Sequence, residues 1–369
     1  PTHCWASFWV AVTQRRCIST TRQWRCFGRR VQMADDAPQG AAMQSSMPIN
    51  GLIEAWREEV EAADNARGGE PAEEAVVAVI SDVHGVTTAL DAVLRSARQH
   101  GATQVWCLGD VVGRGPSPDT CLDRLNALGS VLLPMWLLGN HEALWLGLPC
   151  SPMNEAGSDA VQAIQKHRRV LKHLTVTGDP PRFGAWSWQT HAVFQPVSAA
   201  VLAFAVHGGA PSPRESEVDV YTEGLGGVIA LRQFGIEQAR AALRDSDSSA
   251  ATVPTVIVAG HTHRVDAWVW RHGDERPERV DASPRPSTKL EGDCLYLNVG
   301  SAGGWRGRGS PPSVKPTYGL LRFTRDGVAW QVVEVPVELG PERDRMARQG
   351  YPPGLIAMLP SGGSSGGLA

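Results

Sequence analysis

Ala75-Val76-Val77-Ala78-Val79-Ile80-Ser81-Asp82-Val83-His84-Gly85 runs from an unbroken apolar stretch directly into an aspartate, a histidine and a glycine. A continuous valine-rich run of this length is the pattern of a strand covered on both faces. The residues after it are metal-ligating types placed where the strand ends. In open α/β sheets the carboxyl ends of strands line the ligand crevice, so this stretch predicts both a sheet and a site.

The pattern repeats along the chain. Ala89, Leu90, Val93, Leu94 and Ala97 recur at helical spacing; a strand over Gln104 to Leu108 then delivers Gly109-Asp110. A second helix is predicted from Ser117 through Leu122, Leu125 and Leu128. Met135 to Leu138 reads as a strand ending in Gly139-Asn140-His141-Glu142, Val201 to Val206 as one ending in His207-Gly208-Gly209, and Val253 to Ala259 as one ending in Gly260-His261-Thr262-His263. Strand and helix alternate, which argues an α/β domain. Further strands are expected at Ala267 to Trp270 and Cys294 to Val299, with a hairpin over Tyr318 to Val335 turning at Asp326-Gly327. Ser158 to Leu174 reads as helix and Pro277 to Pro286 as loop.

Asp82, His84, Asp110, Asn140, His207, His261 and His263 are seven candidate ligands, too many for one tetrahedral zinc and suited to two ions. Histidine, carboxylate and an amide oxygen without thiolate favour manganese, with iron, zinc or nickel as alternatives, over magnesium or calcium. Two such ions about 3.5 to 4 Å apart can clamp the attacking and leaving oxygens of a displacement at phosphorus and lower the pKa of bound water. The expected cofactors are therefore two divalent metal ions. His100, His167, His173, His191 and His272 fall outside the pattern. Trp145, Trp186, Trp188 and Trp305 could border a cleft, although packing is the simpler expectation for them.

These motifs resemble those of the calcineurin-like metallophosphoesterases, and most of all the compact phosphoesterases related to diadenosine tetraphosphatase. The resemblance covers about Val76 to Leu359. It rests on Ser81 to Gly85, Gly109-Asp110-Val111-Val112-Gly113-Arg114-Gly115-Pro116, Gly139 to Glu142, Gly260-His261-Thr262-His263-Arg264, Asn298-Val299-Gly300-Ser301 and Gln349-Gly350-Tyr351-Pro352-Pro353-Gly354-Leu355. It implies a four-layer αββα sandwich, two mixed β-sheets face to face with helices outside. It divides the ligands into Asp82, His84 and His263 for one metal and Asn140, His207 and His261 for the other, with Asp110 bridging, and implies that a hydroxide bridging the ions attacks phosphorus. His141 is then the catalytic histidine at the leaving oxygen and Arg114 the phosphate-holding guanidinium. The protein phosphatases of the superfamily carry Asp-Arg-Gly where this chain has Gly113-Arg114-Gly115, so the acid partner of the catalytic histidine is missing; Glu142 is one candidate to orient His141 instead. Asn298 and Ser301 are expected to shape backbone near the site.

The implied activity is hydrolysis of a small phosphate mono- or diester. Cleavage of dinucleoside polyphosphates is a second enzyme reading, and a non-catalytic metal-binding scaffold is a third of another class. Composition sets the remaining bounds. In 369 residues, 42% apolar and 20% charged, no run approaches the roughly 20 apolar residues of a membrane span. Residues 1–34 carry six arginines and no acid, leaving 29 basic against 38 acidic residues in an acidic body, so nucleic acid is an unlikely partner and a small phosphate ester or nucleotide the expected one. Residues 1–74 are expected to be a basic leader and flexible linker with at most a loosely docked helix around Leu52 to Val60, residues 75–360 the catalytic domain, and residues 361–369 a disordered Gly/Ser tail. The leader reads either as an organellar transit peptide or as an extension ahead of a start at Met33. With no export signal and seven cysteines lacking a C-x-x-C pair, the expected location is cytoplasmic, with organellar targeting as the alternative.

Overall fold

Alternation along the first strand sets the layers. The computed structural model describes residues 47–68, 72–146, 189–194, 196, 201–211, 220–243, 254–282, 288–307 and 315–360. Strand β1 (Glu74–Ile80) sends Ala75, Val77 and Val79 to one apolar cluster and Val76, Ala78 and Ile80 to another. Successive side chains of a strand point to opposite faces, so both faces of β1 must be covered.

Of two six-stranded sheets, β1 belongs to the first and the second covers one of its faces. The first has the order β3 (Met135–Trp136), β2 (Gln104–Cys107), β1, β11 (Thr317–Thr324), β12 (Gly327–Glu334) and β9 (Thr288–Lys289). The second has the order β4 (His191–Phe194), β5 (Ala203–Val206), β6 (Val256–Ala259), β10 (Cys294–Val299), β7 (Val265–Trp270) and β8 (Glu278–Val280). Both are mixed: β1, β2 and β3 run parallel while β11 lies antiparallel to β1, and β5, β6 and β10 run parallel while β4 and β7 flank them antiparallel. Val77, Val79, Trp106, Phe323 and Trp330 of the first sheet share one cluster with Val256, Val258, Leu295 and Leu297 of the second, so the sheets meet face to face.

Helices close the outer faces. On the first sheet lie α1 (Ile49–Ala66), α2 (Thr87–Gln99) and α3 (Pro118–Leu132), whose buried Trp56, Leu90, Leu94, Leu122 and Leu125 join Val76, Ala78 and Ile80. On the second lies α5 (Gly224–Leu243), with Val228 and Leu231 against Ile257 and Tyr296. This is the expected four-layer αββα sandwich. The short helix α4 (Asn140–Leu146) follows β3, and α6 (Gly340–Arg348) and α7 (Pro353–Met358) pack Met346, Tyr351 and Leu355 against Val86, Ala89 and Trp305.

Several local expectations shift. The stretch expected to be linker or a loosely docked helix is an 18-residue helix with Leu52, Ile53 and Trp56 buried in the core, and Trp56 Nε1 donates to the Ala102 carbonyl at 2.8 Å. The hairpin turns one residue early: Thr324 pairs with Gly327, leaving Arg325-Asp326 as the loop, and Gly327 takes φ 131° at the strand entrance, a conformation open to glycine. The Pro277 to Pro286 loop contains the edge strand β8. Helices α4 to α7 were not expected. The expected helix at 158–174, the leader and the Gly/Ser tail lie outside the described residues. No helix among the described residues is long and apolar enough to cross a membrane.

Because α1 is part of the core, Trp56→Ala should destabilise the protein by about 3–5 kcal/mol, read from the urea midpoint at unchanged m-value. A change below about 1 kcal/mol would mean that the helix is dispensable packing.

Candidate metal centre

Five strand ends converge, and the backbone there is unusual. Asp82, His84, Asp110, His261 and His263 all have φ between 48° and 66°, and they are the complete set of non-glycine residues with positive φ among those described. A left-handed residue with a side chain costs on the order of 1–3 kcal/mol. All five are candidate ligands, so the strain is confined to the site.

The turns are tied to one another by backbone hydrogen bonds. Asp82 N, His84 N and Gly85 N donate to the carbonyls of Gly109, Asp110 and Val111 at 3.1, 2.8 and 2.8 Å, and Gly260 N donates to His207 O at 2.9 Å. Glu142, in the first turn of α4, accepts from three amides: Asp110 N (2.7 Å) and Gly139 N (2.9 Å) on Oε2, and Val112 N (2.9 Å) on Oε1. Ser301 Oγ donates to Asp82 O at 2.8 Å and Asn298 Nδ2 to Gly260 O at 2.7 Å, which makes both residues shapers of the backbone around the site, as expected. Gly139 cannot carry a side chain, because a Cβ there would strike the Asp110 carboxylate.

The side chains form three overlapping groups that could each hold an ion: Asp82, His84 and His263; His84, Asp110 and His141; and Asp110, His207 and His261. His263 Nε2 lies 3.1 Å from Asp82 Oδ1 and 3.0 Å from His84 Nε2. Asn140 Oδ1 lies 3.2 Å from His207 Nε2 and 3.1 Å from His261 Nδ1. Asp110 Oδ2 sits 3.6 Å from His84 Nε2 and 3.4 Å from His207 Nε2, between the groups.

The donor chemistry fits cations. His84 Nδ1 faces the Val112 carbonyl at 3.1 Å and His207 Nδ1 faces that of Leu108 at 3.0 Å, so each of these nitrogens carries the proton and Nε2 is turned inward. Inward imidazole lone pairs then meet carboxylate and amide oxygens, which only positive charge reconciles. A proton answers in part. Burial works against the imidazolium of His207, but Asp110 outweighs it and holds that pKa up at about 9. Burial likewise opposes ionisation of Asp110, and His207 and His141 hold its carboxyl well below the usual range. Burial and the neighbouring His207 pull His261 down to about 3, keeping that ring neutral and ready to ligate.

Both proposed catalytic residues border this cluster. The His141 ring lies against that of His84 with centroids 4.4 Å apart, its Nε2 is 4.0 Å from Asp110 Oδ2, and neither ring nitrogen has a hydrogen-bond partner. Arg114 places its guanidinium 6.0 Å from the Trp305 ring centroid, with Nε enclosed and unpartnered, and feels the charges of Asp110 and Asp82. Glu142 does not orient His141. Its carboxylate is spent on the three amides, and Gly113 occupies the space beside His141 Nδ1 so closely that a Cβ there would overlap the ring. Burial and the Asp110 charge push the Glu142 carboxyl up to about 7.

Two contributors carried no sequence signal for this role. Tyr351 Oη donates to Gly115 O at 3.1 Å, bracing the loop of Arg114 from the far end of the chain. Tyr221 lays its ring on His261 with centroids 4.2 Å apart. Trp145 and Trp305 are buried core, 7% and 0% exposed, while Trp186 and Trp188 lie outside the described residues.

A profile of the calcineurin-like phosphoesterases matches residues 75–265, just over half of the chain. An uncharacterized protein of Methanocaldococcus jannaschii is 38% identical over 72 residues, 20% of this chain and 28% of that relative's length. Among solved structures, a hypothetical protein of Pyrococcus horikoshii aligns with TM-score 0.50 at 16% identity, over 79% of this chain and all of that one. A metallophosphoesterase of Sphaerobacter thermophilus aligns with TM-score 0.48 at 20% identity over the same shares.

Glu142→Gln puts an amide NH₂ against amide donors. In chelator-treated protein it should cost about 1–3 kcal/mol by urea unfolding, since a buried donor loses its acceptor. An unchanged midpoint would mean that the three amides find other acceptors.

Proposed function

The chain belongs to the calcineurin-like phosphoesterase family, and we propose that it is a metal-dependent phosphoesterase hydrolysing a small phosphate mono- or diester. The observation that carries this reading is the position of Asp110 Oδ2 between two sets of inward-facing donors. In this reading Asp82, His84 and His263 hold one divalent ion, Asn140, His207 and His261 hold the other, and Asp110 serves both. Manganese suits the donor set best, with iron, zinc or nickel as alternatives. When bound, two such ions supply Lewis-acid polarisation of phosphoryl oxygens and bring the pKa of water toward neutrality.

The chain's own residues do the remaining work. Arg114 supplies a fork of donors suited to the non-bridging phosphate oxygens. His141 meets the leaving oxygen. Burial pulls its imidazole down to about 4, with Arg114 adding to the effect and Asp110 opposing it, so the free site keeps this ring neutral. A neutral ring still donates one N–H. An arriving phosphate brings negative charge that favours uptake of a second proton from water by the imidazole, and the imidazolium would pass one proton to the leaving oxygen as charge grows there, returning to the neutral ring. The intact ligand set together with His141 favours an enzyme over a metal-binding scaffold. Dinucleoside polyphosphates would use the same residues, and turnover of diadenosine tetraphosphate beside a nitrophenyl diester separates the two enzyme readings.

Metal-stripped protein should be inactive on bis-nitrophenyl phosphate and nitrophenyl phosphate and recover on manganese addition, while Asp110→Asn loses at least about 10²-fold in kcat and binds fewer than two ions per chain. A stripped protein that hydrolyses both esters as fast as the reloaded one contradicts the reading. His141→Ala should keep its metal and lose about 10² to 10⁴ in kcat on an alkyl ester, with a smaller loss on a nitrophenyl ester whose leaving group needs no proton. Equal losses on both would remove His141 from the role of acid.

A further inference from the structure

Among the described residues Trp106, Trp270, Trp305, Tyr296 and Tyr318 are fully enclosed. Tyr221 is the exception: it is 54% exposed and is the one exposed large apolar side chain among the described residues. It stands at the rim of the candidate metal centre. Its ring leans on the His261 imidazole, with centroids 4.2 Å apart and the planes tilted by 44°.

The ring is anchored from behind. The next residue, Thr222, is buried and donates from Oγ1 to Gly208 O at 3.2 Å, which ties this segment to the turn that carries His207. Arg114 and Tyr221 lie within electrostatic reach of one another. Exposed apolar area costs about 25 cal/mol per Å² relative to burial, and the His261 contact leaves Tyr221 54% exposed. A held aromatic face, open to solvent beside a guanidinium suited to phosphate, matches a ligand that carries a flat ring near its phosphate.

We propose that Tyr221 is a stacking platform for a planar aromatic substituent, a nucleobase or aryl ring, of the phosphate ester whose phosphorus lies at the metal cluster. This rests on the phosphoesterase reading and gives it a substrate class. Tyr221 would set KM more than kcat, because the stacked ring does not take part in bond cleavage.

The test uses manganese-loaded full-length protein and calorimetric binding of AMP beside ribose 5-phosphate, which share the phosphate and sugar and differ in the base. The wild type should bind AMP about tenfold more tightly. Tyr221→Ala should bring the ratio close to one, Tyr221→Phe should keep it, and both variants should hold as much manganese as the wild type. A ratio near one in the wild type, no measurable AMP binding, or a ratio unchanged in Tyr221→Ala would each overturn the proposal. Turnover of bis-nitrophenyl phosphate, run in parallel, keeps the two readings apart: base preference without turnover sinks the catalytic reading alone, and turnover without base preference sinks the platform alone.

Discussion

Each of the two site aspartates is divided between the fold and the cluster. Asp82 gives Oδ2 to the backbone N–H of His261 at 2.8 Å and turns Oδ1 toward His263 and His84. Asp110 gives Oδ1 to the backbone N–H of His141 at 2.8 Å and turns Oδ2 toward His84 and His207. The first bond crosses from the end of β6 in one sheet to the end of β1 in the other. The second joins the ends of β2 and β3. A carboxylate held by one oxygen has its other oxygen aimed, so these two bonds fix which lone pairs face the cluster and in what register the sheets bring their ends together.

That arrangement is strained. Five left-handed residues at about 1–3 kcal/mol each amount to a cost comparable with the whole net stability of a typical domain. Buried carboxylates add to it. The offset lies in the strands feeding the turns: β1, β2, β5, β6 and β10 are buried almost throughout and lock the ends in place. Glu142 contributes by holding three amides on one carboxylate. A site of this kind needs a rigid scaffold, because any turn free to relax would leave the left-handed region and carry its ligand away.

This also explains which parts were legible in the sequence. The apolar runs that become β1, β5 and β6 each lead into ligand-type residues, Asp82 and His84, His207, and His261 and His263, so fold class and ligands could be read together. The nine proposed site residues are brought to one place in the structure. Helix α5 was not legible because Gly224, Gly226, Gly227 and Gly235 dilute its helical pattern. Helix α1 showed its periodicity, but docking depends on what Trp56 meets across 46 residues of chain, at Ala102. Strand β3, expected over Met135 to Leu138, is found there but pairs with β2 over only two residues, Met135 and Trp136. The partners of Glu142 and the position of Tyr221 are tertiary facts with no local pattern to announce them.

The glycine at position 113 links the sequence departure to the chemistry. Where the protein phosphatases of the superfamily carry an acid, a residue without a side chain lies against the His141 ring, and Nδ1 is unpartnered. A carboxylate there would hold the imidazole protonated at all times. Without one, burial above all keeps it neutral, with Arg114 and His263 on the same side and Asp110 and Asp82 opposing. Any charge brought to the cluster acts on this balance, cations by holding the ring neutral and an anion by favouring its protonation. In the proposed function a phosphate ester would meet Arg114 and favour a proton on His141, so the substrate itself would supply part of the electrostatics of the residue assigned to its leaving group.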